Sequence, residues 1–379
     1  MSHIGKTVLS VTAITLAILC KLTPAQAQVF SALQDQRGVL GSDPNCTNGN
    51  ALHGAATCGV VGVDGALYVN RFDGSGFTNL GGIVIGKPSC TQFGPNPQAL
   101  CAVVGTDASV FVNVSSRVPG NPSWSGFLPL GGVSISDPVC TGLLPSSNQA
   151  ICAIIRPNGS LAVAMTSDGA GQKWTTFADL NLGGTHKFNP TCTAVINFVG
   201  ALCGAVTTAG DFRVKFFNGT TWDPNPTIVT FAPANSNISI MSDPSCTFVT
   251  GGNGQQAICA VRGSDSALYV AQLNGPFFPQ FQSLGGVIVG APSCTSEIAS
   301  PGNPKAVCAV RGIFNELFVN QYNNGTWSGF QPIPGAIING DPSCRWVLPG
   351  PGGSSLAVVW CGVKSTASEL WVTVSSPPM

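Results

Sequence analysis

Fourteen cysteines, taken in chain order, fall into seven close pairs: 46/58, 90/101, 140/152, 192/203, 246/259, 294/308 and 344/361. First members are separated by 44, 50, 52, 54, 48 and 50 residues, a period near fifty. Each first cysteine follows a proline by two positions, as in "DPNC", "KPSC", "DPVC", "NPTC", "DPSC", "APSC" and "DPSC". A loop of Gly, Pro, Asn and Ser leads to the second cysteine, which opens an apolar run such as "CGVVG" or "CAVRG". An alternating triplet comes next ("LYV", "VFV", "LAV", "FRV", "LYV", "LFV", "LWV"). An aromatic strand with a "GG" turn, as in "WSGFLPLGG", completes most units.

Four short segments of strand character per fifty residues, each bounded by turn residues, predict a four-stranded antiparallel unit. Seven such units predict an all-β chain, a seven-bladed β-propeller. The last unit stops after its third strand, at "ELWVTVSSPPM", whereas Phe30 and Leu33 near the start supply an F-x-x-L segment with no preceding partner. The N-terminal strand is therefore expected to complete the last blade and leave no free edge. Unit four lacks the "GG" turn and carries Arg213 where other units place an aromatic, so a distorted blade is expected there.

The expected segments are a secretory signal at 1–27 and the propeller at 28–379. Lys6 precedes an apolar stretch from Val8 to Leu19, and Ala25-Gln26-Ala27 offers a small-residue cleavage site. An export signal and an even number of cysteines beyond Cys20 fit an oxidising compartment, extracellular or, in a bacterium, periplasmic. The cysteines are read as one disulfide per unit: Cys46–Cys58, Cys90–Cys101, Cys140–Cys152, Cys192–Cys203, Cys246–Cys259, Cys294–Cys308 and Cys344–Cys361. Metal binding competes poorly, since there is no CxxC and the remaining histidines, His53 and His186, lie in unrelated contexts. No cofactor motif is present.

Charged residues are only 8% of the chain and the net charge is zero, so nucleic acid is not an expected partner. No later apolar stretch is long enough to span a bilayer. Catalysis finds little support: there is no G-x-S-x-G, H-E-x-x-H or P-loop. Glutamate beyond the signal occurs only at 297, 316 and 369, which is sparse for the paired carboxylates of a glycosidase.

Neutral sugars need an aromatic face and a few directed hydrogen bonds. Candidates at matching repeat positions are Tyr68, Tyr269, Phe318 and Trp371 in third strands, and Trp124, Trp174 and Trp327 in fourth strands. Arg262 and Arg311 follow second strands, and Asp64, Asp107 and Asp265 sit in the next turn. Plain roles in inter-blade cores and turns compete for the aromatics and the aspartates.

The text "VRGSDSALYV" at Val261–Val270, and the unit from Val310 to Ser343 with "NGTWSGF", resemble the repeat of Photorhabdus-type (PLL-like) seven-bladed β-propeller lectins. The resemblance spans residues 28–379 and implies non-enzymatic binding of fucose-type or O-methylated glycans in pockets between blades. Paired cysteines are not part of that pattern. Its second outer-strand tryptophan is here phenylalanine, at Phe127, Phe177, Phe281 and Phe330. A secreted protein-binding or adhesion scaffold is the alternative, and a propeller glycoside hydrolase a second one. Oligomeric state is not readable. Six N-x-S/T sequons (Asn45, Asn113, Asn158, Asn218, Asn237, Asn324) would matter only in a eukaryotic secretory pathway.

Overall fold

The computed structural model describes residues 30–47, 57–71, 76–94, 98–116, 123–143, 147–166, 168–195, 200–232, 237–251, 254–273, 279–296, 305–347 and 358–375. The expected signal at 1–27 and His53 lie outside these residues.

The described chain is all β. Unit two shows the pattern: Val84–Phe93, Gln98–Gly105, Ser109–Val114 and Leu128–Val133 form one antiparallel sheet in chain order. Among the described residues five sheets hold four strands and a sixth holds eight. The sheet of eight is units four and five together, joined where Thr227–Phe231 runs parallel to Gln280–Gly285 through two residue pairs. Phe231 enters unit five there, 4.9 Å from the Tyr269 ring and 5.3 Å from that of Phe281. Unit four thus keeps four strands, and its irregularity lies in the outer strand, where the "GG" turn is missing.

All seven expected disulfides are present, and each joins residues that face one another across the first and second strands of a unit. Each closes a short loop, a constraint worth about 3 kcal/mol in the loop-entropy account. Among the described residues eight hydrophobic clusters hold the core, each formed by two neighbouring units, with two of them between units five and six. Val61, Leu67 and Val69 of unit one pack on Val84, Cys90 and Val103 of unit two. Cys46, Cys58 and Val60 of unit one pack on Leu370 and Val372 of unit seven. Burial on both sheet faces explains why these strands lack the charge alternation of a one-sided sheet.

The N-terminal segment pairs with the last unit as expected, but three residues out of the expected alignment. Gln34 faces Val372 and Asp35 faces Trp371, as Thr78 faces Val69 and Asn79 faces Tyr68 in unit one. Leu33 therefore takes the place of Phe77. Phe30 bridges Ser375 in the way Trp124 bridges Ser115 and Trp327 bridges Tyr322. Phe30 is the seventh unit's counterpart of the outer-strand tryptophan, a match hidden by its spelling as Phe.

First strands are edges, and their exposed N–H groups need partners. Neighbouring units supply them. The Cys90 N–H donates to Asn45 Oδ1, Cys140 to Ser89 Oγ, Cys246 to Thr191 Oγ1, Cys294 to Ser245 Oγ and Cys344 to Ser293 Oγ, all at 2.8–3.2 Å. The Cys46 N–H donates to Ser343 Oγ at 2.9 Å, so unit seven serves unit one in the same way. Val139 occupies this position before the fourth unit and has no side-chain acceptor. Asn45 is thus spent inside the fold and Asn113 is buried, which withdraws two of the six sequons.

Replacing Ser343 by Val leaves the Cys46 N–H without its acceptor. A buried donor stranded in this way costs about 1–3 kcal/mol, and urea unfolding of Ser343→Val against the wild type reads it directly.

Candidate functional site

Two kinds of place gather chemistry-bearing side chains: the boundaries between units, and a shared cavity lined by the first strands of all seven.

At the boundary of units seven and one, Tyr68 stands edge-on to Phe77, with centroids 6.4 Å apart and planes at 86°. Both rings border the inter-unit core and remain half-buried. The Tyr68 hydroxyl donates to Asp64 Oδ2 at 2.7 Å and accepts from Asn79 Nδ2 at 3.1 Å. That bond, with a second from the Ala66 N–H, holds the exposed Asp64 carboxyl below its ordinary value and raises the Tyr68 phenol. Phe111 and Phe127 repeat the ring pair between units one and two at 6.4 Å and 82°. Phe318 and Phe330 repeat it between units five and six at 6.4 Å and 84°. Asp107 lies in the turn before Phe111, its carboxyl lowered chiefly by the Ser109 N–H. A glycine of the preceding unit makes room for each outer phenylalanine. Gly82, with φ of +81°, would bring a Cβ within 2.7 Å of the Phe127 ring, so neither its backbone nor its space admits another residue.

The remaining aromatic candidates spread over the other boundaries. Trp124 borders the core between units one and two, Trp174 that between two and three, and Trp327 that between five and six. Trp371 borders units six and seven and donates from Nε1 to Glu369 Oε2 at 3.1 Å. Trp174 Nε1 donates to Gly171 O at 3.0 Å. Trp222 holds the same position in unit four, bridged to Phe217; its "TTWDP" context lacks the "SGF" text that marks the others. Tyr269 differs, since it is only 2% exposed and Phe231 covers its face, although its hydroxyl still reaches Asp265 Oδ2 at 2.9 Å.

The two arginine candidates go elsewhere. Arg262 donates to the main-chain carbonyls of Met241 and Gly290 at 2.6 and 3.1 Å, tying together the connections that enter units five and six. Arg311 donates to Asn315 Oδ1 at 3.1 Å and lies close enough to Asp341 to favour its ionised form.

The shared cavity has a volume of about 350 Å³. Residues two places before the "x-C" of units two to seven border it: Lys87, Asp137, Asn189, Asp243, Ala291 and Asp341. They interlock. The Lys87 N–H donates to Asp137 Oδ1, the Asp137 N–H to Asn189 Oδ1, and the Asn189 N–H to Asp243 Oδ1, at 2.8–2.9 Å. Asn189 Nδ2 bridges Asp137 and Asp243. Burial pushes the Asp137 and Asp341 carboxyls upward, against hydrogen bonds and Lys87, which pull the other way. Deeper in, the residue after the first cysteine is Thr47, Thr91, Thr141, Thr193, Thr247 and Thr295, then Arg345 in unit seven. The repeated "P-x-C-T" text carried this row, but strand periodicity gives only the face of a residue and not its nearness to a common cavity. Among the described residues no group of three His, Cys, Asp or Glu side chains is placed to hold a metal ion.

No protein-family model matches the chain, and no curated protein matches its sequence. Solved structures do. The BP39L lectin from Burkholderia pseudomallei superposes with a TM-score of 0.63 at 14% identity, covering 89% of this chain and 99% of that one. AofleA from Arthrobotrys oligospora gives 0.53 at 12% identity, covering 80% and 90%. A chain of the S. cerevisiae assembly of Dbp5 with Nup159, Gle1, IP6 and ADP gives 0.50 at 11% identity, covering 92% and 95%. The likeness is one of fold. Among the described residues no helix is long and apolar enough to cross a membrane.

The raised Asp137 carboxyl yields a signed pH effect. Its folded form holds a proton above the ordinary value near 3.8, so its favourable contribution is complete below that value and is lost as pH rises through the raised one. The stability of Asp137→Asn relative to the wild type should therefore increase between pH 3 and pH 7 in urea melts. A constant difference would show that Asp137 titrates normally.

Proposed function

We propose that the chain is a secreted seven-bladed β-propeller lectin that binds glycans at blade boundaries without catalysis. The seven units are its blades, residues 1–27 its export signal, 28–379 the propeller, and the N-terminal strand its closing element. Several similar sites of one kind follow from seven similar boundaries.

The observation that carries this reading is the recurrence of one arrangement at three boundaries. A half-buried pair of perpendicular rings stands there beside an acidic residue: Tyr68 and Phe77 with Asp64, Phe111 and Phe127 with Asp107, Phe318 and Phe330 with Glu316. Ring faces accept the C–H side of a sugar, and carboxylate and amide groups take its hydroxyls. The fold shared with BP39L, a lectin, supports the same reading. Trp124, Trp174, Trp327 and Trp371 extend these niches along the outer strands. Tyr269 with Asp265 would contribute only if Phe231 moved aside. Arg262 and Arg311 serve the sites through the loops they hold. Fucose-type and O-methylated sugars are the first ligands to test.

A second reading, a protein-binding or adhesion scaffold, has an observation of its own. The turns between second and third strands and the connections entering first strands expose apolar side chains. Val63, Ile83 and Phe314 are 72%, 71% and 75% exposed. A sugar reading does not need them.

A glycan array on the mature chain separates the two. The lectin reading expects fucosylated or O-methylated probes to bind, with Tyr68→Ala and Phe318→Ala each weakening binding at its own site while others persist. An array blank at high probe density favours the scaffold. Release of free sugar from any probe would instead indicate a hydrolase.

A further inference from the structure

Arg345 is the exception in a row of seven. Six units place threonine after the first cysteine, and the fold forms with threonine there. Neither packing nor the strand requires a guanidinium in unit seven. The side chain is part-buried against the cavity wall, and loss of water lowers its pKa to about 10, with no carboxylate among the described residues offsetting the loss. It stays charged at neutral pH. The one bond it makes among the described residues is from Nη1 to Cys344 O at 2.8 Å, out of five N–H donors in the group. Among the described residues no acidic side chain bonds to it; Asp341 lies before the strand, which begins at Ser343.

A second donor borders the same cavity. Thr295 Oγ1 already accepts from the Trp346 N–H at 3.2 Å, so its own hydroxyl proton is left to donate. A part-buried guanidinium that has lost water and makes one bond among the described residues carries a penalty that a bound acceptor would reduce.

We propose that the shared cavity is an anion site in which the Arg345 fork, aided by Thr295, binds one small oxyanion of carboxylate, phosphate or sulfate type. Planar, bidentate recognition of such groups is the chemistry in which arginine exceeds a point charge. The site is separate from the boundary niches and does not depend on the glycan reading.

Calorimetric titration of the full mature chain with inorganic phosphate, sulfate and acetate, each against chloride at matched ionic strength, tests this. The expected result is one equivalent bound per chain with a Kd tighter than about 1 mM. The strongest probe distinguishes a tetrahedral ligand from a carboxylate. Arg345→Thr, which restores the residue of the other six units, should weaken binding at least about tenfold, a loss of about 1.4 kcal/mol. Arg213→Thr, at a surface ion pair, should leave it unchanged. Arg345→Lys is the companion variant if the threonine chain does not fold, and it should retain charge but bind more weakly. No binding of any probe to the wild type, or equal binding to the wild type and to whichever Arg345 variant folds, overturns the proposal.

Discussion

Every first strand presents an unpaired edge to the middle of the molecule, and hydrogen bonds from neighbouring units settle that edge. Except at Val139, the residue before the first cysteine reaches forward to accept the N–H of the next unit's cysteine. The residue two places earlier donates its own N–H forward to the next unit's carboxylate or amide. Proline between them carries no N–H and so removes one donor from the edge. Two reciprocal bonds across a boundary fix both the spacing and the tilt of adjacent sheets. The shared cavity is what remains inside seven such edges.

The rest of the architecture builds outward from that arrangement. Disulfides clamp first to second strands, where a unit of about fifty residues has little core of its own. Apolar side chains on both sheet faces then meet those of the neighbours, so each hydrophobic cluster belongs to two units and none to one. At the rim this packing runs short of side chains. Glycine opposite phenylalanine leaves rings partly uncovered at Phe77, Phe127 and Phe330. Those niches and the cavity are the two places where the packing leaves room for something else.

The repeat, the disulfide pairing and the offset of the chain ends were legible in the sequence because they are written in cysteine, proline and turn residues. The alignment of the first strand was not. Phe30 was matched to the outer-strand phenylalanine, whereas pairing sets Leu33 there and Phe30 in the tryptophan's place; hydrophobic spelling does not distinguish the two. Repeat position alone puts Arg262 and Arg311 after second strands, a place that can lead either to a boundary or to a loop. Their bonds to Met241, Gly290 and Asn315 decide for the loops. Tyr269 matched Tyr68 letter for letter, yet Phe231, displaced from unit four, covers it. Arg345 stood in plain view after "PSC", but only a cavity shared by seven strands gives its difference from six threonines a meaning.

The account rests on edge amides being satisfied at six of the seven first cysteines, including the step from unit seven to unit one. Amide hydrogen exchange read residue by residue tests this most directly. The Cys46, Cys90, Cys140, Cys246, Cys294 and Cys344 amides should exchange as slowly as amides inside the sheets, although each lies on a sheet edge. A Cys46 amide that exchanges at the rate of an open edge while the other five stay protected would contradict a closed arrangement of seven units.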